Sequence, residues 1–282
     1  MKVKSEKDTP APAEIRGHPF HSTHKLNLIT ADDAGRFVCD GCKELGGAGC
    51  ARYACEEAGC DFDLHAPCAL APDVLPPEHT MFKGDAAFVL LHEPPPTTDD
   101  GDLRVCDACG DEVRGFVYHC FDRDLDLHPC CAHLPGRVAL GGVAFELSSG
   151  GGGGGSAPRR CLYCRTGEGS RPHLRRKYWT YSSDDFDGEA VHLHVACVKR
   201  MAYESSSAGS SSHRIDGGGR NMPVIRAPVQ AAVALRKNGR SRSKLKKFLK
   251  IVAFVLRVVV GVLFGDPTAM AVAVVGLVFP NG

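Results

Sequence analysis

Three times along this chain a Cys-x-x-Cys pair is followed downstream by a His-x-x-Cys pair. The sets are Cys39, Cys42, His65 and Cys68; Cys106, Cys109, His128 and Cys131; and Cys161, Cys164, His194 and Cys197. All 14 cysteines fall between Cys39 and Cys197, at spacings that suit metal ligands better than a disulfide framework. Thiols must stay reduced to bind metal, and residues 1–14 are charged and rich in Pro and Ala, without the apolar core of a secretory signal. An intracellular, cytoplasmic protein is therefore expected. Several small metal-stapled modules account for 282 residues better than one large core.

The first repeat offers nine candidate ligands: His18, His21, His24, Cys39, Cys42, Cys55, Cys60, His65 and Cys68. Zinc takes four, so two sites with one histidine to spare are expected. Comparing the repeats divides the candidates. The set Cys39, Cys42, His65 and Cys68 recurs whole in each repeat and forms a first site. The set His21, His24, Cys55 and Cys60 is lost as a unit: in repeat two Lys83 and Ala86 stand for the histidines, Arg123 stands for Cys60, and only Cys120 survives. Repeat three has Trp179 and Tyr181 in the region of the middle pair. Joint loss is the expected fate of residues that coordinate one ion. The predicted content is two, one and one zinc ions, about four per chain, each with four protein ligands and no open position, the mark of structural zinc. Cys50, Cys120 and Cys130 read as small buried hydrophobes.

The expected fold class is small zinc-stabilised α+β modules, three in tandem, with a basic and then apolar helical tail. Residues 1–16 read as a disordered N-terminus, 17–75 as repeat one, 76–136 as repeat two and 137–203 as repeat three. Six glycines at 150–155 give repeat three a flexible linker, and a Ser/Gly-rich stretch makes 204–234 another. Each module is expected to reorient relative to the next, the first two less so because of their Pro-containing connections. Leu26–Ile29, Phe88–Leu91, Phe116–Tyr118 and Phe145–Leu147 read as short strands, and the stretch after each His-x-x-Cys as a single short helix. Such fragments bury too little apolar surface to fold alone, so metal must supply much of their stability.

Residues 1–200 carry 22 Lys and Arg against 30 Asp and Glu, whereas residues 201–282 carry 12 against 3. The tail, 235–282, opens with eight basic residues between Arg236 and Lys250 and continues as the apolar runs 251–265 and 268–279. A polybasic segment beside an apolar one is a pattern for anionic membrane surfaces. Arg257 and the pair Asp266-Pro267 interrupt the apolar stretch, so neither half reaches the roughly 20 residues of a spanning helix. Peripheral membrane association by an interfacial helix or shallow hairpin is one expectation. Two soluble helices packed on something else, with the basic run a solvated face or a nuclear-import signal, are the other.

The phrases HPFHSTHKLNL, FVCDGC and YACEEAGCDFDLHAPCA, with GFVYHC and DLDLHPCCAHLP in repeat two and LHVACVKRM in repeat three, resemble the plant-enriched divergent C1 (DC1) family of Cys/His-rich zinc modules. The resemblance spans roughly residues 17–202. It implies a small twisted β-arrangement with a short helix, held by two zinc ions in full-length copies. Lys83, Ala86 and Arg123 depart from that pattern, as does the middle pair of repeat one, with four residues between Cys55 and Cys60 where the family has two. Some C1 modules bind diacylglycerol through apolar loops and others bind proteins, so the resemblance implies a protein or lipid partner and a signalling or stress-response role, with no lipid contact assigned to any residue.

A non-catalytic adaptor or interaction module is the leading expectation. Two alternatives share its motifs: a thiol-disulfide reductase using CDGC, CDAC or CLYC, and a RING- or PHD-like reader with interleaved zinc sites. The first lacks the βαβ context of such redox motifs; the upstream histidines and the DFDLH phrase favour C1 over the second. No carboxylate pair, nucleophile with its base or phosphate-binding glycine loop stands out, so no small-molecule substrate is expected. The acidic modules argue against a nucleic-acid partner.

Overall fold

The computed structural model of the chain describes residues 11–29, 36–46, 51–75, 87–97, 103–140, 142–149, 161–164, 179–186, 189–200 and 242–263. Three four-stranded antiparallel sheets follow one another, each a simple meander. The first is β1 (Glu14–Ile15), β2 (Leu26–Ile29), β5 (Arg52–Ala54) and β6 (Asp63–His65), with a separate ribbon of β3 (Phe37–Val38) and β4 (Leu45–Gly46). The second is β7 (Val74–Leu75), β8 (Phe88–Leu91), β9 (Val117–Cys120) and β10 (Leu125–Leu127). The third is β11 (Arg137–Leu140), β12 (Val143–Ser148), β13 (Thr180–Phe186) and β14 (Glu189–His194). Directly after the last strand of each sheet comes one short helix: α1 (Ala66–Ala69), α2 (Pro129–Ala132) and α3 (residues 195–200). A proline opens α1 and α2, where the missing N–H costs nothing.

One cross-strand pair organises each sheet. Tyr53 faces Leu64, Tyr118 faces Leu127 and Tyr181 faces Leu193, all buried. Each tyrosine hydroxyl donates to a proline carbonyl just ahead of the first strand: Tyr53 to Pro12 at 2.7 Å, Tyr118 to Pro72 at 2.8 Å and Tyr181 to Pro135 at 2.7 Å. The buried aromatic body supplies apolar area and the hydroxyl closes the sheet's first edge. The strand readings at Leu26–Ile29 and Phe88–Leu91 coincide with β2 and β8; Phe116–Tyr118 shifts to β9, and Phe145–Leu147 lies inside the longer β12.

The modules are packed together, where the linkers predict that each reorients relative to the next, the first two less so. Phe116 belongs to the second module in sequence, yet it packs into the core of the first with Leu26, Phe37, Tyr53 and Leu64. Its backbone N–H donates to the Gly41 carbonyl at 2.9 Å. A Cβ on Gly115 would stand 2.0 Å from that carbonyl oxygen, so glycine is required for the approach. Between the second and third modules the same contact recurs, with Trp179 N–H donating to Ala108 O at 3.3 Å. The third sheet then shares one continuous apolar core with the second.

The tail forms a continuous helix, α4 (Arg242–Leu263), that runs through Arg257 without a break. Ile251, Val252, Val255, Leu256, Val258, Val259, Val262 and Leu263 are buried in the core of the second and third modules. Among the described residues, no helix is long and apolar enough to cross a membrane. The apolar run 268–279 lies outside the described residues, as do Cys50, Lys83, Ala86 and the glycines 150–155.

Candidate metal centres

Each module builds its first site from a tight turn and the start of a short helix. In the first module Cys39 O accepts from Lys43 N–H at 2.9 Å, and in the second Cys106 O accepts from Gly110 N–H at 2.8 Å. Such a turn brings both sulfurs of Cys-x-x-Cys to one side. Lys43 and Gly110 occupy the same place in it, both in the left-handed region, at φ +63° and +79°. The aspartate inside each pair ties the turn to the last strand: Asp40 accepts from Asp63 N–H at 2.9 Å, and Asp107 accepts from Asp126 N–H at 2.7 Å. In return Asp40 N–H donates to Asp63 O and Asp107 N–H to Asp126 O, both at 2.8 Å. This exchange places His65 and His128, two residues further on, over the sulfurs. Asp126, fully buried, spreads its charge over Arg104 at 2.9 Å and His119 at 2.8 Å.

The structure brings together four groups of four donors: Cys39, Cys42, His65, Cys68; His21, His24, Cys55, Cys60; Cys106, Cys109, His128, Cys131; and Cys161, Cys164, His194, Cys197. Within each, all ligand atoms lie inside 4.8 Å of one another. Zinc–sulfur bonds of about 2.3 Å and zinc–nitrogen bonds of about 2.0–2.1 Å at tetrahedral angles make an S···N edge of about 3.6 Å. The distances from Cys42 and Cys68 Sγ to His65 Nδ1 are 3.4 and 4.0 Å. Those from Cys109 to His128 Nδ1, and from Cys164 and Cys197 to His194 Nδ1, are 3.4, 3.5 and 3.8 Å. In the remaining group His24 Nδ1 stands 3.6 Å from Cys55 Sγ and His21 Nε2 3.7 Å from Cys60 Sγ. All seven edges fit a tetrahedral ion of that size.

Supporting contacts fit as well. His128 presents Nδ1 to the sulfurs, and its Nε2 meets Glu112 O at 3.2 Å, a partner that fixes ring and tautomer. Backbone N–H groups of His65 and His128 donate to Cys39 and Cys106 Sγ at 3.4 and 3.5 Å. Thiol acidities show what the donor sets need. Burial works to raise Cys39 and Cys106, yet hydrogen bonds from the neighbouring thiols, Cys42 and Cys68 or Cys109 and Cys131, hold them well below the usual range. Cys197 holds Cys161 down to about 3 in the same way. Their partners go the other way: Cys39 pushes Cys42 up to about 12, and Cys131 and Cys197 are raised by Cys106 and Cys161. Three thiolates cannot crowd one buried pocket by themselves. A divalent cation bound among them would supply the charge that lets all three ionise.

The first and second modules' Cys3His groups are buried throughout, the third is half-buried at Cys164 and His194, and the His2Cys2 group is half-buried at His21, His24 and Cys60 with Cys55 buried. His18, the spare histidine, stays outside the groups and is buried, its Nδ1 accepting from Phe20 N–H at 3.3 Å. Cys120 is fully buried in β9 and belongs to none of the four donor groups found among the described residues. Its hairpin closes in four residues where the first module's takes eight, and Arg123 sits where the longer loop places Cys60.

Two residues at the centres went unread in the sequence. Cys130, which reads as a small buried hydrophobe, hydrogen-bonds Cys68 and His65 of the first module, which hold its thiol down to about 5. Lys199 reaches Cys109 Sγ at 3.6 Å from the third module. The adjacency of Cys130 and Cys131 was the available signal for the first; nothing local marked the second.

No curated protein and no solved structure matches this chain. A family model, that of the C1 domain, matches residues 19–69, which take in the His2Cys2 group and the first Cys3His group. Over these residues the first module is similar to C1 domains, the family its HPFHSTHKLNL, FVCDGC and DFDLHAPC phrases resemble.

Proposed function

We propose that the protein is a non-catalytic scaffold of three C1-like modules holding four structural zinc ions, and that it presents binding surfaces to a protein or lipid partner. One observation carries this reading: the same four-donor tetrahedral grouping is built three times from the same turn, strand and helix, with a fourth group added in the first module. Every group offers four protein donors, a closed coordination that leaves zinc no position for substrate. The buried knuckle cysteines, locked by backbone N–H and aspartate contacts, also differ from the accessible low-pKa thiol of a reductase. Most of the apolar residues of α4 are committed to the core, so its basic approach, residues 236–250, supports an anionic partner through charge.

Cobalt substitution tests the assignment. Cobalt(II) bound by three Cys3His centres and one His2Cys2 centre should give eleven thiolate ligands, read from the sulfur-to-metal charge-transfer intensity. Cys109→Ser should lose one ion and the ordered structure of the second module, whereas Cys120→Ser should keep every ion. Loss of an ion from Cys120→Ser, or none from Cys109→Ser, would show the ligands to be wrongly paired.

A further inference from the structure

The third module meets the second at the very turn that carries two of its metal ligands. Trp179 N–H donates to Ala108 O at 3.3 Å, and Lys199 Nζ lies 3.6 Å from Cys109 Sγ and 2.7 Å from Asp111 Oδ2. Ala108, Cys109 and Asp111 all belong to the segment that opens with Cys106. Lys199 also pairs with Glu44 of the first module, whose other oxygen is 3.7 Å from the Nε2 of the ligand His128. One lysine, 3 % exposed, thus joins all three modules around one metal centre.

Charge explains why a lysine stands there. Three thiolates and a neutral imidazole around a divalent cation leave a net single negative charge in a buried place, where an uncompensated charge is costly. Lys199, held against the turn by the Asp111 and Glu44 carboxylates, brings a positive charge to Cys109 Sγ, and its N–H bond to a thiolate is stronger than one to a neutral thiol. We infer that Lys199 couples metal binding in the second module to assembly: a loaded centre clamps the three modules into one body, and its loss releases the third module together with α4. The coupling is reciprocal, so docking of the third module also tightens metal binding in the second. The inference rests on the reading of the centres as zinc sites.

Native mass spectrometry of the full zinc-loaded chain under chelator titration counts retained ions, and small-angle scattering at each step reads module spacing. The second module's release step is the one missing from Cys109→Ser. Lys199→Met should bind as many ions as the native chain, release that one at about fivefold lower chelator concentration or less, the low end of ordinary site-to-site coupling, and expand at the same step. Lys199→Arg should restore both. Native-like release by Lys199→Met, or a chain that stays compact after that ion has left, would overturn the inference. A native chain that binds no zinc would instead overturn the reading of the centres, and this inference with it.

Discussion

Lys43 and Gly110 occupy one position of one turn, yet only glycine adopts a left-handed backbone without strain. A non-glycine residue there costs roughly 1–2 kcal/mol, against roughly 0.5–1 kcal/mol for the extra freedom of glycine in the unfolded chain. The Lys43 side chain contributes only an exposed ion pair with Asp40 at 3.7 Å, worth little. Lys43→Gly should therefore stabilise the first module, raising its denaturation midpoint by the equivalent of ~1 kcal/mol. An unchanged or lower midpoint would show that the turn is not strained at Lys43. The same scale shows how the second metal group decays. Cys55 is a candidate donor, Cys120 holds its place in β9 as a buried thiol, and Ser183 holds it in β13 as a buried hydroxyl with no hydrogen-bond partner.

At the scale of elements, the metal turn does two tasks. It holds ligands on one side and offers a carbonyl, Gly41 O or Ala108 O, to the aromatic residue that opens the next module's third strand. This repeated contact is invisible to a reading that treats each module alone, because Phe116 and Trp179 look like core residues of their own repeats. Gly115→Ala tests it: the added methyl meets the Gly41 carbonyl and should cost about 1–3 kcal/mol as overpacking does. The Phe116 amide should then lose its protection from hydrogen exchange while the zinc content stays the same. Native-like protection of that amide would mean the first two modules are not docked through this turn.

For the whole molecule, the candidate donor groups were legible in sequence because their chemistry is local: Cys-x-x-Cys and His-x-x-Cys report themselves, and comparing three copies separates two interleaved sets. The four groups that the repeats marked out are the four that the fold assembles. What stayed illegible depends on distance along the chain. The two-residue strands β1 and β7 carry no periodicity to read, and the proline carbonyls that hold Tyr53, Tyr118 and Tyr181 lie 41 or 46 residues away. Flexible-looking linkers suggested beads on a string, whereas Phe116, Trp179 and Lys199 join the modules through contacts that no linker composition foretells. The tail stayed open between two readings for a related reason: an apolar run beside a basic one looks the same in sequence whether a bilayer or the protein's own core buries it. Everything above rests on metal in four places. Elemental analysis of the purified full chain should find four zinc ions per molecule, the total that two in the first module and one in each of the others require. Six ions would mean that complete second sites persist in the later modules, and one ion or none would contradict the account.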